Sequence, residues 1–383
     1  MRPAPGGEAE RYDLCVIGNG GAGLAVATGA AFLGVRVGLI GSGPPEDASA
    51  GDLAVSALSA AARTAEMIRR ASAFGLEATA AEMDFAAVRR RIETVVDAAQ
   101  AASDPARLAA LGVVLLDGRA TFIGPDRLSL ATGTTARTLT ARRFVIASPG
   151  RVPVPAIPGL DRVPYLTRRT LLALDRRPDH LAIIGGGAEA LELAQAYRRL
   201  GSAVTLFDTG RPLSDEDPEL VELLVLRLRA EGVRLQGPIR AIAVCDGAIR
   251  LTVGPEEAPE TIAASHLLVA TGRRPDLAAL GLDAAGVRLG PAGIAVDDRL
   301  CTSNRRIHAL GDAIGPRHRA HGAGVEAGIV LRNILFRQRA PGRDRAPAHR
   351  PDRSGPGPGR ADRTSGAERP WRRHDPALAV PRQ

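Results

Sequence analysis

The chain of 383 residues contains no lysine, and all 50 of its basic side chains are arginine. That absence removes lysine-based chemistry, Schiff-base lysines and the phosphate-loop lysine among it, and a guanidinium, which stays protonated in proteins, cannot replace the amine as a nucleophile. Cysteine is scarce as well. Cys15, Cys245 and Cys301 are isolated from one another, with no CxxC or metal-ligand spacing, so neither a disulfide framework nor a metal site is expected. Aromatic residues make up only 3% of the chain, and no basic stretch is interleaved with them, which argues against nucleic acid as a partner. The first ten residues hold no basic segment followed by an apolar run. The apolar stretch from Ala22 to Val35 is broken by Gly23, Gly29 and Gly34 and is too short to span a bilayer. A cytoplasmic protein with no membrane partner is the expectation.

The net charge of +8 is unevenly placed. Pro341 to Gln383 hold ten arginines against five acids, so five of the eight net charges sit in the last 43 residues and the rest carries only three. From Arg337 onward Arg, Pro and Gly dominate and large apolar residues are few, a composition that cannot build a core and predicts a disordered tail. The remainder is ordinary for a globular chain of two or three domains, since 45% of all residues are apolar.

What is present is a repeated grammar. Tyr12 to Ile17 is a short apolar run ending in Gly18-Asn19-Gly20-Gly21-Ala22-Gly23, followed by a small-residue helix to about Leu33 and a strand from Arg36 to Ile40. Helical patterns follow over Ala54 to Phe74 and Asp84 to Ala101, the second capped by Asp84. Short strands are expected at Val113 to Leu116, Arg127 to Leu130 and Phe144 to Ala147. The opening pattern then returns: Leu181 to Ile184, the turn Gly185-Gly186-Gly187-Ala188-Glu189-Ala190, a helix to Leu200, and a strand from Ala203 to Phe207 that ends in Asp208. Asp217-Pro218-Glu219 opens a helix. Strands resume from Val233 through Val253 and over Leu267 to Ala270, and a last helix runs from about Gly322 to Phe336.

A strand that feeds a helix through GxGxxG needs its first glycine for the tight turn, its second so that a pyrophosphate can approach the backbone, and its third for close helix–strand packing. Gly18, Gly20 and Gly23 fill those places in the first unit, and Gly185, Gly187 and Ala190 in the second. Each helix N-terminus then offers unpaired N–H groups to the phosphates. One such turn is weak evidence, but two on separate strand–helix–strand units predict two dinucleotide sites. An acid at the end of the following strand holds the ribose hydroxyls, and Asp208 stands there in the second unit. This favours NAD, while nearby Arg211 leaves NADP open. The equivalent position of the first unit is Gly41, where the lost charge-assisted hydrogen bond is worth about 1.5 to 3 kcal/mol.

With both turns, the segments Ala147-Ser148-Pro149-Gly150 and Ala270-Thr271-Gly272, and Gly311-Asp312 in this order, the chain resembles the pyridine nucleotide-disulfide oxidoreductases from about Arg11 to Phe336. It looks most like the branch of dihydrolipoamide dehydrogenases and mercuric reductases. The resemblance implies an α/β fold of two Rossmann-like domains, an FAD domain over 11–155 and 273–336 split by an inserted NAD(P) domain over 156–272, with a tail over 337–383. It also implies that Ser148, Gly311, Asp312 and His321 join the first turn around FAD, that Gly272 joins the second around NAD, and that Glu192 sits where nicotinamide meets flavin. Glu326 lies in the segment that approaches the flavin from the C-terminal side.

Two family features are missing. The CxxxxC pair that relays electrons to a disulfide would fall between Gly41 and Leu58, which holds no cysteine; Asp47 and Asp52 stand five apart at about that place, and a carboxylate cannot shuttle electrons. Pro149 also departs from the family's Ala-Thr-Gly pattern. Where the family continues into a dimerisation domain, the Arg/Pro/Gly tail follows instead, so the oligomeric state stays open, and the abrupt change of composition suggests a shifted reading frame. The expectation is an FAD-dependent NAD(P)H oxidoreductase that passes electrons to a small-molecule acceptor without thiols. The alternative is a truncated, inactive relative that at most binds nucleotide.

Overall fold

The structure, a computed structural model, describes residues 10–43, 48–77, 83–208, 210–315 and 322–336, all within one compact unit. Asp47 and His321 of the expected site residues, and the whole tail from 337, lie outside the described residues.

Strand β1 (Glu10–Ile17) is buried along nearly its whole second half, as a central parallel strand covered on both faces must be. It turns at Gly18 into helix α1 (Gly21–Phe32), which returns the chain to β2 (Val37–Gly41). Helices α2 (Ala48–Arg69), α3 (Phe85–Gln100) and α4 (Pro105–Ala110) follow, then strands β3 (Val113–Asp117), β4 (Arg119–Gly124), β5 (Arg127–Thr132) and β6 (Thr135–Ile146). The helix expected over Ala54 to Phe74 starts six residues earlier, at Ala48, and stops at Arg69, with a separate 3-10 turn at Ala71–Phe74. Asp84 caps α3 as expected, its carboxylate accepting from Ala87 N–H at 3.0 Å. The first sheet runs β3-β2-β1-β6-β5-β4. Strand β6 does double duty. Its first half pairs antiparallel with β5, and from Leu139 onward it lies parallel to β1.

After β7 (Gly150–Arg151) and the short helix α5 (Arg168–Leu172), the same plan is built again. Strand β8 (His180–Ile184), helix α6 (Ala188–Arg199), β9 (Ala203–Phe207), α7 (Pro218–Ala230) and β10 (Arg234–Gln236) lead to the antiparallel β11 (Ala241–Cys245), β12 (Ala248–Val253) and β13 (Glu260–Ala264), and then to β14 (His266–Val269). The strands expected between Val233 and Val253 are three, separated at Pro238 and at the Asp246-Gly247 turn. The second parallel sheet is ordered β10-β9-β8-β14, the counterpart of β3-β2-β1-β6, with β11 to β13 standing apart as a three-stranded meander. Strand β15 (Arg274–Pro275) pairs with β7, and β16 (Ile307–Ala309) joins β6 in parallel, completing the first sheet after the second has been built. The second unit is thus an insertion into the first. Helix α8 (Gly322–Leu335) covers α1, where a Cβ on Gly29 would come within 2.6 Å of Leu331. Among the described residues no helix is long and apolar enough to cross a membrane.

Candidate dinucleotide sites

Both glycine turns join a strand to a helix, and both are held by the same backbone bond. Gly18 N–H donates to Ile40 O at 2.8 Å in the first unit, and Gly185 N–H donates to Phe207 O at 2.9 Å in the second. Gly18 and Gly185 have φ of +113° and +132°, in the region where only glycine is unstrained. A Cβ on either would fall 2.1 or 2.2 Å from a carbonyl oxygen, that of Ala147 or of Ala270. Each first glycine therefore presses on the segment the sequence singles out, Ala147-Ser148 or Ala270-Thr271. A Cβ on Gly23 would meet Gly18 O at 1.8 Å, so the third glycine is what lets α1 sit on its own turn. Ala190, fully buried, fills that role in α6.

The approach for phosphate is open where it has to be. Gly187 is exposed at the N-terminus of α6, and a Cβ there would touch nothing within 4 Å. Gly20 occupies the same place before α1, whose first turn holds no acid to compete for its N–H groups. Asp208 leans over the second turn, so that a Cβ on Gly186 would lie 1.9 Å from its Oδ2. Beside it, past the carboxyl ends of β9 and β10, is a cavity of about 330 Å3 lined by Asp208, Pro212, Arg229 and Gln236. Ligands of open α/β sheets bind at that edge. Arg211 is turned onto its own loop, donating to Glu216 O at 3.0 Å.

Asp312 is held by the flagged segment ending at Gly150 and by Arg273, the residue after the flagged Ala270-Thr271-Gly272. Its Oδ2 accepts from Gly150 N–H at 2.8 Å and from Arg273 Nε at 2.9 Å, and Arg273 also donates to Gly150 O. Gly311 lies against Ala22 at the start of α1, and its N–H donates to Glu326, a buried carboxylate of α8, at 2.8 Å. The first turn, Ser148, Gly150, Gly311 and Asp312 therefore form one cradle, and Gly272, with φ of +86° and open space before it, borders the second. Both sets of residues fit a dinucleotide.

Glu192 is exposed on α6 and accepts from Ser59 Oγ of α2 at 2.9 Å. Beside it lies an arrangement without a sequence signal. Arg168 of α5 reaches Asp52 of α2 at 2.8 Å and Glu189 of α6 at 3.3 Å, so the carboxylate in the segment expected to carry thiols is tied into an ion pair. Since all three side chains keep some exposure, Arg168→Ala is expected to cost about 1 kcal/mol, and less in high salt. Urea denaturation at two salt concentrations checks this; an unchanged midpoint would leave the pairing energetically silent.

None of the cysteines forms a relay. Cys15 is buried in β1, where burial pushes its thiol up to about 12; Cys301 is half-buried and also raised by burial; Cys245 is exposed on β11. Among the described residues no cluster of His, Cys, Asp and Glu could hold a metal ion. A larger cavity of about 600 Å3 lies at the far end of α6 from Gly187, but its charged groups satisfy one another, as in the Arg199–Glu231 pair at 2.8 Å.

A profile of the family described as pyridine nucleotide-disulphide oxidoreductase matches residues 12–328. The chain is 35% identical over 332 residues to a mercuric reductase of Streptomyces lividans, covering 85% of this chain and 70% of that protein. With a mercuric reductase of Bacillus cereus it shares 32% identity over 330 residues, 85% of this chain and 52% of the relative. Among solved structures it is similar to the HOCl-induced flavoprotein disulfide reductase RclA from Escherichia coli, with a TM-score of 0.73, 25% identity, and coverage of 86% of this chain and 72% of that one. The chain thus spans between about half and 70% of the curated relatives named here.

Proposed function

Because the chain belongs to the pyridine nucleotide-disulphide oxidoreductases, a family of FAD- and NAD(P)-dependent oxidoreductases, we propose that it oxidises NAD(P)H and reduces a small-molecule acceptor without a thiol relay. The observation that carries this reading is the coexistence of two intact glycine turns with an ion-paired carboxylate, Asp52, in the segment where the family's thiols stand. In this reading 11–155 and 273–336 form the FAD portion and 156–272 the NAD(P) portion.

When bound, FAD supplies the redox centre that takes hydride from the nicotinamide and passes electrons on. The chain supplies position and electrostatics. Backbone N–H groups at Gly20 and Gly187 receive the two pyrophosphates, and Gly18, Gly23, Gly185 and Ala190 keep those helix ends against their strands. Ser148, Gly311 and Asp312 line the first cofactor, with Asp312 held in place by Gly150 and Arg273. Asp208 receives the ribose of the second, and Gly272 borders it. An acid there, with Arg211 engaged by its own loop, favours NAD over NADP. Glu192, fixed by Ser59, sits near the meeting point of the two cofactors. Acceptors of the right chemistry are a quinone, a dye or dioxygen. Mercuric ion, which the relatives' names imply, needs soft thiolate ligands. With one thiol buried in β1, one exposed on β11 and one half-buried outside the strands, we assign it no place here.

An absorption spectrum of the purified protein and a rapid mix with NADH test the proposal. Bound flavin that bleaches supports it; a colourless protein that cannot be loaded with FAD ends it. A flavin that binds but keeps its oxidised spectrum supports the second reading, a nucleotide-binding relative without turnover, which Gly41 in place of the ribose acid favours. The absence of a relay is tested separately. The triple variant C15A/C245S/C301S is expected to keep NADH-dependent quinone reduction within about twofold of the wild type, and a tenfold loss would bring thiols back into the mechanism.

A further inference from the structure

The first unit lacks the strand-end acid, yet the space which that acid would fill is not empty. The two matching backbone bonds, Gly18 N–H to Ile40 O and Gly185 N–H to Phe207 O, put the units in register, so Gly41 corresponds to Asp208 and Asn19 to Gly186. In the second unit a glycine stands in the turn and the polar side chain comes from the strand end, with Asp208 Oδ2 1.9 Å from where a Gly186 Cβ would be. The first unit exchanges the partners. A Cβ on Gly41 would lie 2.1 Å from Asn19 Cγ, 2.4 Å from Nδ2 and 2.5 Å from Oδ1. Glycine at 41 is what leaves room for this amide.

We infer that Asn19 is the adenosine-ribose ligand of the first site, reaching from the glycine turn into the position that an acid normally reaches from the strand. The inference rests on the flavin reading above. The amide is oriented: Nδ2 donates to Gly43 O at 3.0 Å, while Gly43 N–H donates at 3.2 Å to Asp117 Oδ1, on the strand beside Gly41. The Gly41–Gly43 turn is thereby held from both sides and fixes the amide plane. A carboxamide carries an acceptor oxygen as well as donors, so it can accept from a ribose hydroxyl as a carboxylate does, but through a neutral and weaker bond. The same neutrality places no negative charge beside the pyrophosphate.

The test is the equilibrium affinity of the full-length apoprotein for FAD, read from quenching of flavin fluorescence, with far-UV circular dichroism confirming that each variant is folded. N19A is expected to weaken binding roughly 3- to 10-fold. G41A removes no hydrogen-bonding group, yet its methyl evicts the amide, so a loss of similar size is expected. In N19A/G41A the second change adds nothing, because there is no amide left to displace. N19G/G41D copies the second unit's arrangement and is expected to bind at least as tightly as the wild type. Single variants that bind as the wild type does, losses that add, or a loss confined to D117A would each overturn the assignment while leaving the flavin reading intact. A folded wild-type protein with no affinity for FAD would remove that reading, and this inference with it.

Discussion

Gly23→Ala is expected to yield a folded protein that is purified without flavin, whereas Gly185→Ala keeps its flavin but is reduced by NADH on the order of 100-fold more slowly. Both follow from single contacts. A methyl at 23 would sit 1.8 Å from Gly18 O, and this neighbour is backbone, which cannot rotate away. Helix α1 must back off its turn, taking with it the N–H groups that receive the pyrophosphate, at a stability cost of about 1 to 3 kcal/mol. At 185 the methyl meets Ala270 O at 2.2 Å, and φ of +132° adds strain of its own. The first cradle does not use that turn, so flavin content is unaffected, while a misplacement of about 1 Å costs on the order of 100-fold in positioned chemistry. Flavin-to-protein ratios and rapid-mixing traces of the two variants measure these effects. Equal losses of flavin in both would show that the two turns do not serve separate cofactors.

Acid is expected to destabilise the chain through His308. This residue lies in the middle of β16, 5% exposed, and its Nδ1 has no hydrogen-bond partner among the described residues. Burial, helped by Arg143 and opposed by Asp297, pulls its pKa from 6.5 down to about 4. The folded chain therefore holds the ring neutral over a range in which the unfolded chain binds a proton. Stability from this group is intact above pH 6.5 and drains away as the pH falls toward 4. Between pH 7 and pH 5 the loss amounts to about 2 kcal/mol. His180, also lowered by burial, adds to the same trend, so the contribution of His308 is the difference between wild type and His308→Leu in urea denaturation at the two pH values. Parallel pH dependences in the two proteins would show that the ring is not the responsible group.

The parts of this fold legible in sequence are those whose cause is local. An apolar run, a glycine turn and a small-residue helix specify β1-α1-β2 and β8-α6-β9 without reference to the rest of the chain, and Asp217 caps α7 by bonding Glu219 N–H two residues away. Strand β6 was visible only at its apolar end. Its first nine residues, Thr135 to Arg143, are mostly Thr and Arg and mostly exposed, and they are strand because β5 lies beside them. Strands β4 and β13 carry only short apolar stretches and owe their place to the antiparallel neighbours β5 and β12. At the site, Asp312 and Glu326 stood out by resemblance, but Arg273, which holds Asp312, did not. Arg168 is one of 50 arginines, and nothing in its neighbours says that it meets Asp52 from 116 residues away. Asn19 was in plain view inside a recognised motif. Its meaning depends on Gly41, a partner across a helix, and on what is absent there.

The two-residue ladder between β7 and β15 sets how the second unit is attached. Arg151 faces Arg274 and Gly150 faces Pro275, so the polypeptide departs and comes back at hydrogen-bonding distance, as in the stem of a hairpin. Closing the stem with a tight turn in place of residues 152–273 would leave the pairing of β6 with β1 and β16 untouched. Such a doorway lets an entire nucleotide-binding module be grafted in, exchanged or removed in one cut during evolution, with no strand of the host sheet having to be rethreaded.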